Sequence, residues 1–243
     1  MQNIKDFCLK DMVEFSAALR SMGTGAKSME EVADRIVHYL HDNLVDQTSG
    51  KKNCALVRFF KTVPYDELDG ELQEFARGVL KGPPESPDMK CMVLLASAGA
   101  RHEWNSRKNS VGHKAIPLPS EHFIDAFPMV RQIIQQMGLE VNTLLRPDPA
   151  VVLDMSQTTY NVFYIPEAVG SQYVPVQEEF VIPCGVRSVI GFGGVLPSGN
   201  LFVIIMFSRV PVPRETADMF RTLALSVKVA ILPYYNIVFK ESG

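Results

Sequence analysis

The chain has 243 residues, 47% of them hydrophobic, and a formal net charge of −3 at pH 7. That length and apolar content are enough for one large core, and the charge supplies no general attraction for nucleic acid or an anionic membrane surface. Apolar runs fall far short of the roughly 20 residues a membrane helix needs, and Met1-Gln-Asn-Ile-Lys-Asp-Phe-Cys8 has no secretory signal pattern, so a cytoplasmic protein is expected.

From the N-terminus, Ile4, Cys8, Met12, Phe15, Leu19 and Met22 recur at spacings of four and three, which predicts a helix with a narrow apolar seam for another helix. Gly23-Thr-Gly-Ala-Lys-Ser28 ends it. A phosphate loop would need a glycine directly before the lysine and a strand upstream, so this segment is read as a joint, with Ser28 and Glu31 forming a capping box. The next helix, about 29–46, puts Met29, Val32, Ala33, Ile36, Leu40 and Leu44 on a packing face, and Glu30, Asp34, His38 and His41 on a wet one. With no further ligand nearby, His38 and His41 are expected to be solvated, and no metal site is predicted. Residues 54–63 and 90–97 read as strands, separated by a short helix around 67–80 and a proline-rich loop at 82–87. Cys8, Cys54, Cys91 and Cys184 are widely scattered and expected to be buried, reduced thiols on apolar elements.

The segment 100–120 carries Arg101, Trp104, Arg107, Lys108, His113 and Lys114, the most positive stretch of a negative chain. It reads either as a solvated loop anchored by Trp104 or as a pocket lid whose cations meet an acidic ligand or partner. Ser120 caps a predicted helix over 121–137, with Pro128 allowed only near its start or at a kink. Further on the pattern is mixed: 151–153 fits a short strand or a turn, 159–165 a strand ended by Pro166, and 170–180 a loop entering a short helix. The last third is clearest. Gly185-Val-Arg-Ser-Val-Ile-Gly-Phe-Gly-Gly-Val-Leu196 and Leu201-Phe-Val-Ile-Ile-Met-Phe207 are strand runs joined by Pro197-Ser-Gly-Asn200, and an amphipathic helix follows from Pro213 to about 232.

The order Gly185-Val-Arg-Ser-Val-Ile190, strand, turn, strand, Pro213-Arg-Glu-Thr-Ala217 and apolar helix resembles the closing half of GAF domains, the small-molecule sensor modules of signalling proteins. The resemblance covers about 28–232. It implies an α/β (α+β) fold: a central antiparallel sheet with the first and last helices on one face and a loop-roofed ligand cavity on the other. Residues 1–27 would be a packing or dimerisation helix, 28–232 the sensor domain, and 233–243 a tail or linker to an effector. The implied role is non-catalytic: a small molecule binds, and the terminal helices pass the signal to a histidine kinase, as in two-component systems, or to a cyclase or transcriptional effector, in the same chain or another.

No ligand or cofactor is named by this resemblance. The Asn-Lys-Phe-Asp-Glu signature of cyclic-nucleotide-binding members and the Cys-His pair of bilin-binding members do not occur. The cysteines are not gathered as in GAF-fold methionine sulfoxide reductases, and there is no Gly-x-Ser-x-Gly nucleophile turn, so an enzyme is not expected. A ligand-free interaction or dimerisation module and, behind it, a GAF-fold redox enzyme are the alternatives.

The predicted ligand site combines Trp104 and His113 from the basic loop, Phe163, Tyr173, Arg187 and Phe192. Strand alternation puts Val189 and Gly191 on one face, and Ile190 and Phe192 on the other, without fixing which is which. Arg187, in an apolar run, is expected to reach solvent, Glu178, Glu179 or a ligand acid group. On the final helix Leu225, Val229 and Leu232 form a second apolar strip opposite the main one. With Met12, Phe15 and Leu19 of the first helix they make the predicted homodimer interface, packing within one chain being the alternative.

Overall fold

A computed structural model describes residues 1–147 and 149–239, with backbone alone at 149–151 and 153. Helix ends follow local chemistry. The Glu31 amide donates to Ser28 Oγ at 3.2 Å and starts α2 (Met29–Asn43), after α1 (Leu9–Ser21). Asp69 likewise caps α3 (Gly70–Leu80) by accepting from the Leu72 amide at 2.9 Å. The single helix predicted over 121–137 is two, α4 (Glu121–Asp125) and α5 (Pro128–Gln136). Pro128 opens α5, and its ring keeps Phe127 out of helical geometry, at φ −120° and ψ 78°. α6 (Val141–Leu145) and α7 (Pro149–Thr158) fill the stretch of mixed pattern, so the backbone at 151–153 is helical, whereas a strand or turn is predicted there. The last helix is α8 (Arg214–Ile231).

Six strands, β1 (Cys54–Pro64), β2 (Lys90–Gly99), β3 (Ala115–Pro117), β4 (Tyr160–Ile165), β5 (Ser188–Val195) and β6 (Leu201–Ser208), form one open sheet. Its order is β3-β2-β1-β6-β5-β4, and every neighbouring pair is antiparallel. The fold is α+β, as expected. Within β2 the register slips at Leu95, where Phe59 pairs with Ala96 but Phe60 with Leu94. This bulge turns both Leu95 and Ala96 toward the helices and re-aims Ser97 to the opposite face.

Each face of the sheet has its own core. On one, α1, α2 and α8 cover Val57, Phe59, Ile190, Phe192 and Ile204; on the other, α4 to α6 and the long loops cover Leu56, Phe60, Phe163 and Val189. The alternation predicted for 189–192 holds, but Phe192, expected in the ligand site, lies on the helical side.

Two expectations on the helices need correction. Phe15 and Leu19, expected at a dimer interface, are 2% and 0% exposed inside their own chain, and Met12 packs on the same core. The cause is α8 lying against α1. Phe7, just before α1, stacks on Phe220 at 5.0 Å, Arg20 Nε donates to Ser226 Oγ at 3.2 Å, and a Cβ on Gly23 would stand 2.4 Å from the Ala230 carbonyl oxygen. His41, expected in solvent, is 3% exposed. The chain after α2 doubles back through a Val45–Lys52 bridge, bringing Lys52 Nζ to 3.3 Å from His41 Nδ1. Burial, then the Lys52 charge, holds the imidazole pKa down at about 4, so His41 is neutral at pH 7. His38 stays at the surface beside Asp34. Among the described residues no helix is long and apolar enough to cross a membrane.

Candidate functional site

A cavity of about 580 Å³ opens on the face of the sheet away from the terminal helices, within the range of drug-sized ligand sites. Its floor is built by alternation: Leu56, Arg58 and Phe60 of β1 point down into it, joined by Met92 of β2, Ile116 of β3, and Ile205 and Phe207 of β6. Its roof comes from three connections: the basic loop between β2 and β3, the α4–α5 junction, and the loop running from Gln172 into a π-helical turn at Gln177–Val181.

Aromatic packing holds the roof to the floor. Phe180 meets Trp104 edge-on at 5.5 Å and Phe207 edge-on at 5.1 Å. The Arg101 guanidinium lies 4.8 Å over the Trp104 ring at the rim, near Glu103 and Glu179, both exposed. Val176, also at the rim, has a left-handed backbone (φ 61°), a strained state for a β-branched residue and one that concentrates at ligand-binding segments.

Polar groups converge on one spot of the floor. Arg58 donates from one terminal nitrogen to Ser110 Oγ at 3.3 Å, and Ser110 Oγ donates on to the Gly112 carbonyl at 2.8 Å. Arg58 Nε is buried without a partner, and so is Oγ of Ser97, the residue directly opposite Arg58 in the β1–β2 pairing. Cross-strand neighbours stand about 5 Å apart at Cβ, so the two orphaned atoms share one neighbourhood. Desolvation pulls the Arg58 guanidinium down to about 10, still cationic at pH 7. Burial, with the Arg58 charge next, lowers the His113 pKa and favours its neutral form.

Of the predicted site residues, Trp104, His113 and Tyr173 line this cavity together. Phe163 is fully buried in the core of the same face without reaching the lining. Phe192 belongs to the opposite face, 5.4 Å from the Phe220 ring, because its strand parity is that of Ile190. Arg187 precedes β5 rather than lying in it; its backbone bonds to Ser208 and Ala168 while the side chain is exposed. Among the described residues no carboxylate stands within ion-pair distance of Arg187. Sequence reasoning misses Arg58, although a lone charge inside Cys54-Ala-Leu-Val-Arg-Phe-Phe60 is the same signal that singles out Arg187. Phe60, Phe180 and Phe207 are indistinguishable in sequence from ordinary core aromatics.

A neighbouring groove of about 560 Å³ runs along Gln132, Gln136 and Gly170–Tyr173. It lies more open to solvent and is lined by no arginine or lysine, so the deeper, Arg58-bearing cavity is the better site. No protein-family model matches the chain, and no curated protein matches it.

Proposed function

We propose that the chain is a GAF-like, non-catalytic sensory domain of the cytoplasm that binds a small molecule and signals through its termini to an effector. The observation that carries this reading is the half-enclosed, aromatic-lined cavity of about 580 Å³, roofed by loops on the face opposite α1 and α8. The antiparallel sheet and the Gly185–Ala217 sequence order supply the GAF resemblance. Native mass spectrometry of the purified protein, before and after addition of a metabolite panel, tests it. Retained small-molecule mass that Ile205→Phe reduces by filling the floor supports the reading; mass unaffected by that variant, or none, contradicts it.

The basic loop offers a route for the signal. Arg107 forms a two-pronged ion pair with Glu30, at 2.6 and 3.2 Å, and lies 5.4 Å over the Phe239 ring. The Met29 and Glu30 amides donate to the Ile237 and Val238 carbonyls at 2.8 and 2.9 Å. One loop thus roofs the cavity and clasps the start of α2 and the tail. Arg107→Met is expected to speed hydrogen exchange at the Met29 and Glu30 amides by about tenfold or more while sheet amides stay protected; equal exchange in both proteins would remove the clasp from the account.

We further propose a homodimer. Leu225 and Val229 are 42% and 49% exposed on α8, Leu232 is 36% exposed just beyond it, and Leu9 and Val13 are exposed on α1. With Phe15 and Leu19 committed to the chain's own core, these outward residues are the ones left for a partner. Light scattering on the wild type should give a dimer that Leu225→Glu with Val229→Glu converts to monomer. A monomeric wild type sinks the dimer, and a dimeric double variant moves the interface elsewhere.

A further inference from the structure

The cavity is apolar almost throughout, yet its floor holds a guanidinium. Arg58 reaches a single neutral hydroxyl at 3.3 Å, its Nε has no partner, and among the described residues no carboxylate lies within ion-pair distance of it. Arg58 is half-buried with its Nε fully buried, and a desolvated cation without a counter-charge is expensive to keep. The neighbouring strand adds Ser97 Oγ, also buried and unpaired, and the roof adds His113. Arg58 and His113 give the cavity its polar corner, with Ser97 buried behind the floor, and the other walls are Phe60, Trp104, Phe127, Tyr173, Phe180 and Phe207.

Resting on the small-molecule-sensor reading above, we propose that the cavity takes an apolar, ring-bearing monocarboxylate, its carboxylate held by Arg58 and its ring body clasped by the aromatic walls. An anion at this corner supplies the missing counter-charge and accepts from nitrogens that now lack a partner. Ring faces against Trp104, Phe180 and Tyr173 suit a flat, rigid body better than a polar one. The charge count is one. Arg58 is the cation at the floor, Arg101 is stacked over Trp104, and Glu103 and Glu179 at the mouth repel a second negative group. A nucleotide or polyphosphate, needing several cations and polar walls, does not match this lining.

Calorimetric titration with 1-naphthoate, with its neutral isostere 1-naphthamide and with inorganic phosphate tests the assignment. Wild-type protein should bind naphthoate about ten- to a hundredfold more tightly than naphthamide, the difference a hydrogen-bonded charge makes, and should bind phosphate weakest. In Arg58→Gln the preference should vanish while naphthamide affinity is retained. Equal affinities in wild type, or a preference that survives in Arg58→Gln, overturn the role of Arg58 and leave the pocket standing. Phosphate binding as tight as naphthoate overturns the ring-bearing class, and failure of both naphthalene probes overturns the ligand class and counts against the sensor reading as well. Should Arg58→Gln not fold, the arginine Nε–H NMR signals of wild type decide the matter: one must move with naphthoate and stay with naphthamide, and the absence of such a signal refutes the contact.

Discussion

Gly193→Ala should destabilise the protein by more than about 3 kcal/mol, because the added methyl group has no room to move into. A Cβ at this position would stand 2.0 Å from the Phe202 carbonyl oxygen, 2.9 Å from Val203 Cα and 3.0 Å from the Phe202 carbonyl carbon. All three are backbone atoms of β6, so no side-chain rotation relieves the clash. Only opening of the β5–β6 pairing does, and β6 carries Ile205 and Phe207 of the cavity floor. Urea denaturation followed by circular dichroism measures the loss. A decrease below about 1 kcal/mol would mean that the strands approach less closely than these distances require.

Lys61→Met should act in the opposite sense and stabilise the protein at pH 7 by about 1–3 kcal/mol. Lys61 is 2% exposed in a central strand, and its ammonium has only the Thr62 carbonyl at 3.2 Å; Glu67 exerts a pull but forms no ion pair with it. Burial brings its pKa from 10.5 down to about 8. Between those values the unfolded chain binds a proton that the native chain does not, so this group's contribution to stability rises with pH across the window. Below about pH 8 the native ammonium is charged, buried and fully destabilising. The advantage of the Lys61→Met variant should therefore be largest at pH 7 and shrink steadily toward the ordinary lysine pKa of 10.5. Lys90, lowered to about 8 by burial and then by the Lys61 charge, is relieved of that repulsion in Lys61→Met, which adds to the gain where both lysines are charged and fades over the same pH window. Urea titrations of both proteins across this pH range measure the difference. A loss of stability in Lys61→Met, or a gain that does not change with pH, would contradict this account.

The hairpin, the last helix and the inner strands at 54–63 and 90–97 are legible in the sequence because their signals are local, whereas the three-residue edge strand Ala115–Pro117 is too short to stand out from the basic loop. Turn residues at Pro197-Ser-Gly-Asn200, a proline at the head of α8, and apolar strand runs on both sides of the turn say where each element begins. Face assignment is not local. Alternation separates Phe192 from Gly191, but only the packing of α1 and α8 on one side decides that Phe192 belongs with Phe220. The same limit applies to α1, whose seam reads identically whether the partner helix is in its own chain or another. Helical periodicity puts His41 in solvent because it does not register the return of Lys52 across the helix end. At the site, Trp104, His113 and Tyr173 stand out by residue type in loops. Arg58 lies inside a strand, and its importance depends on what is missing around it: a counter-charge that cannot be located from carboxylates spread along the whole chain.

The chain contains one tryptophan, Trp104, at the cavity wall, so a single indole N–H signal reports on the site. Its position in a two-dimensional NMR spectrum, followed while a panel of ring-bearing acids is titrated in, tests most directly the claim that this face of the sheet is a small-molecule site. The account predicts a saturable shift with at least one acid, abolished in Ile205→Phe, where the floor is filled. An indole signal that no member of the panel moves, or one that moves identically in Ile205→Phe, would contradict it.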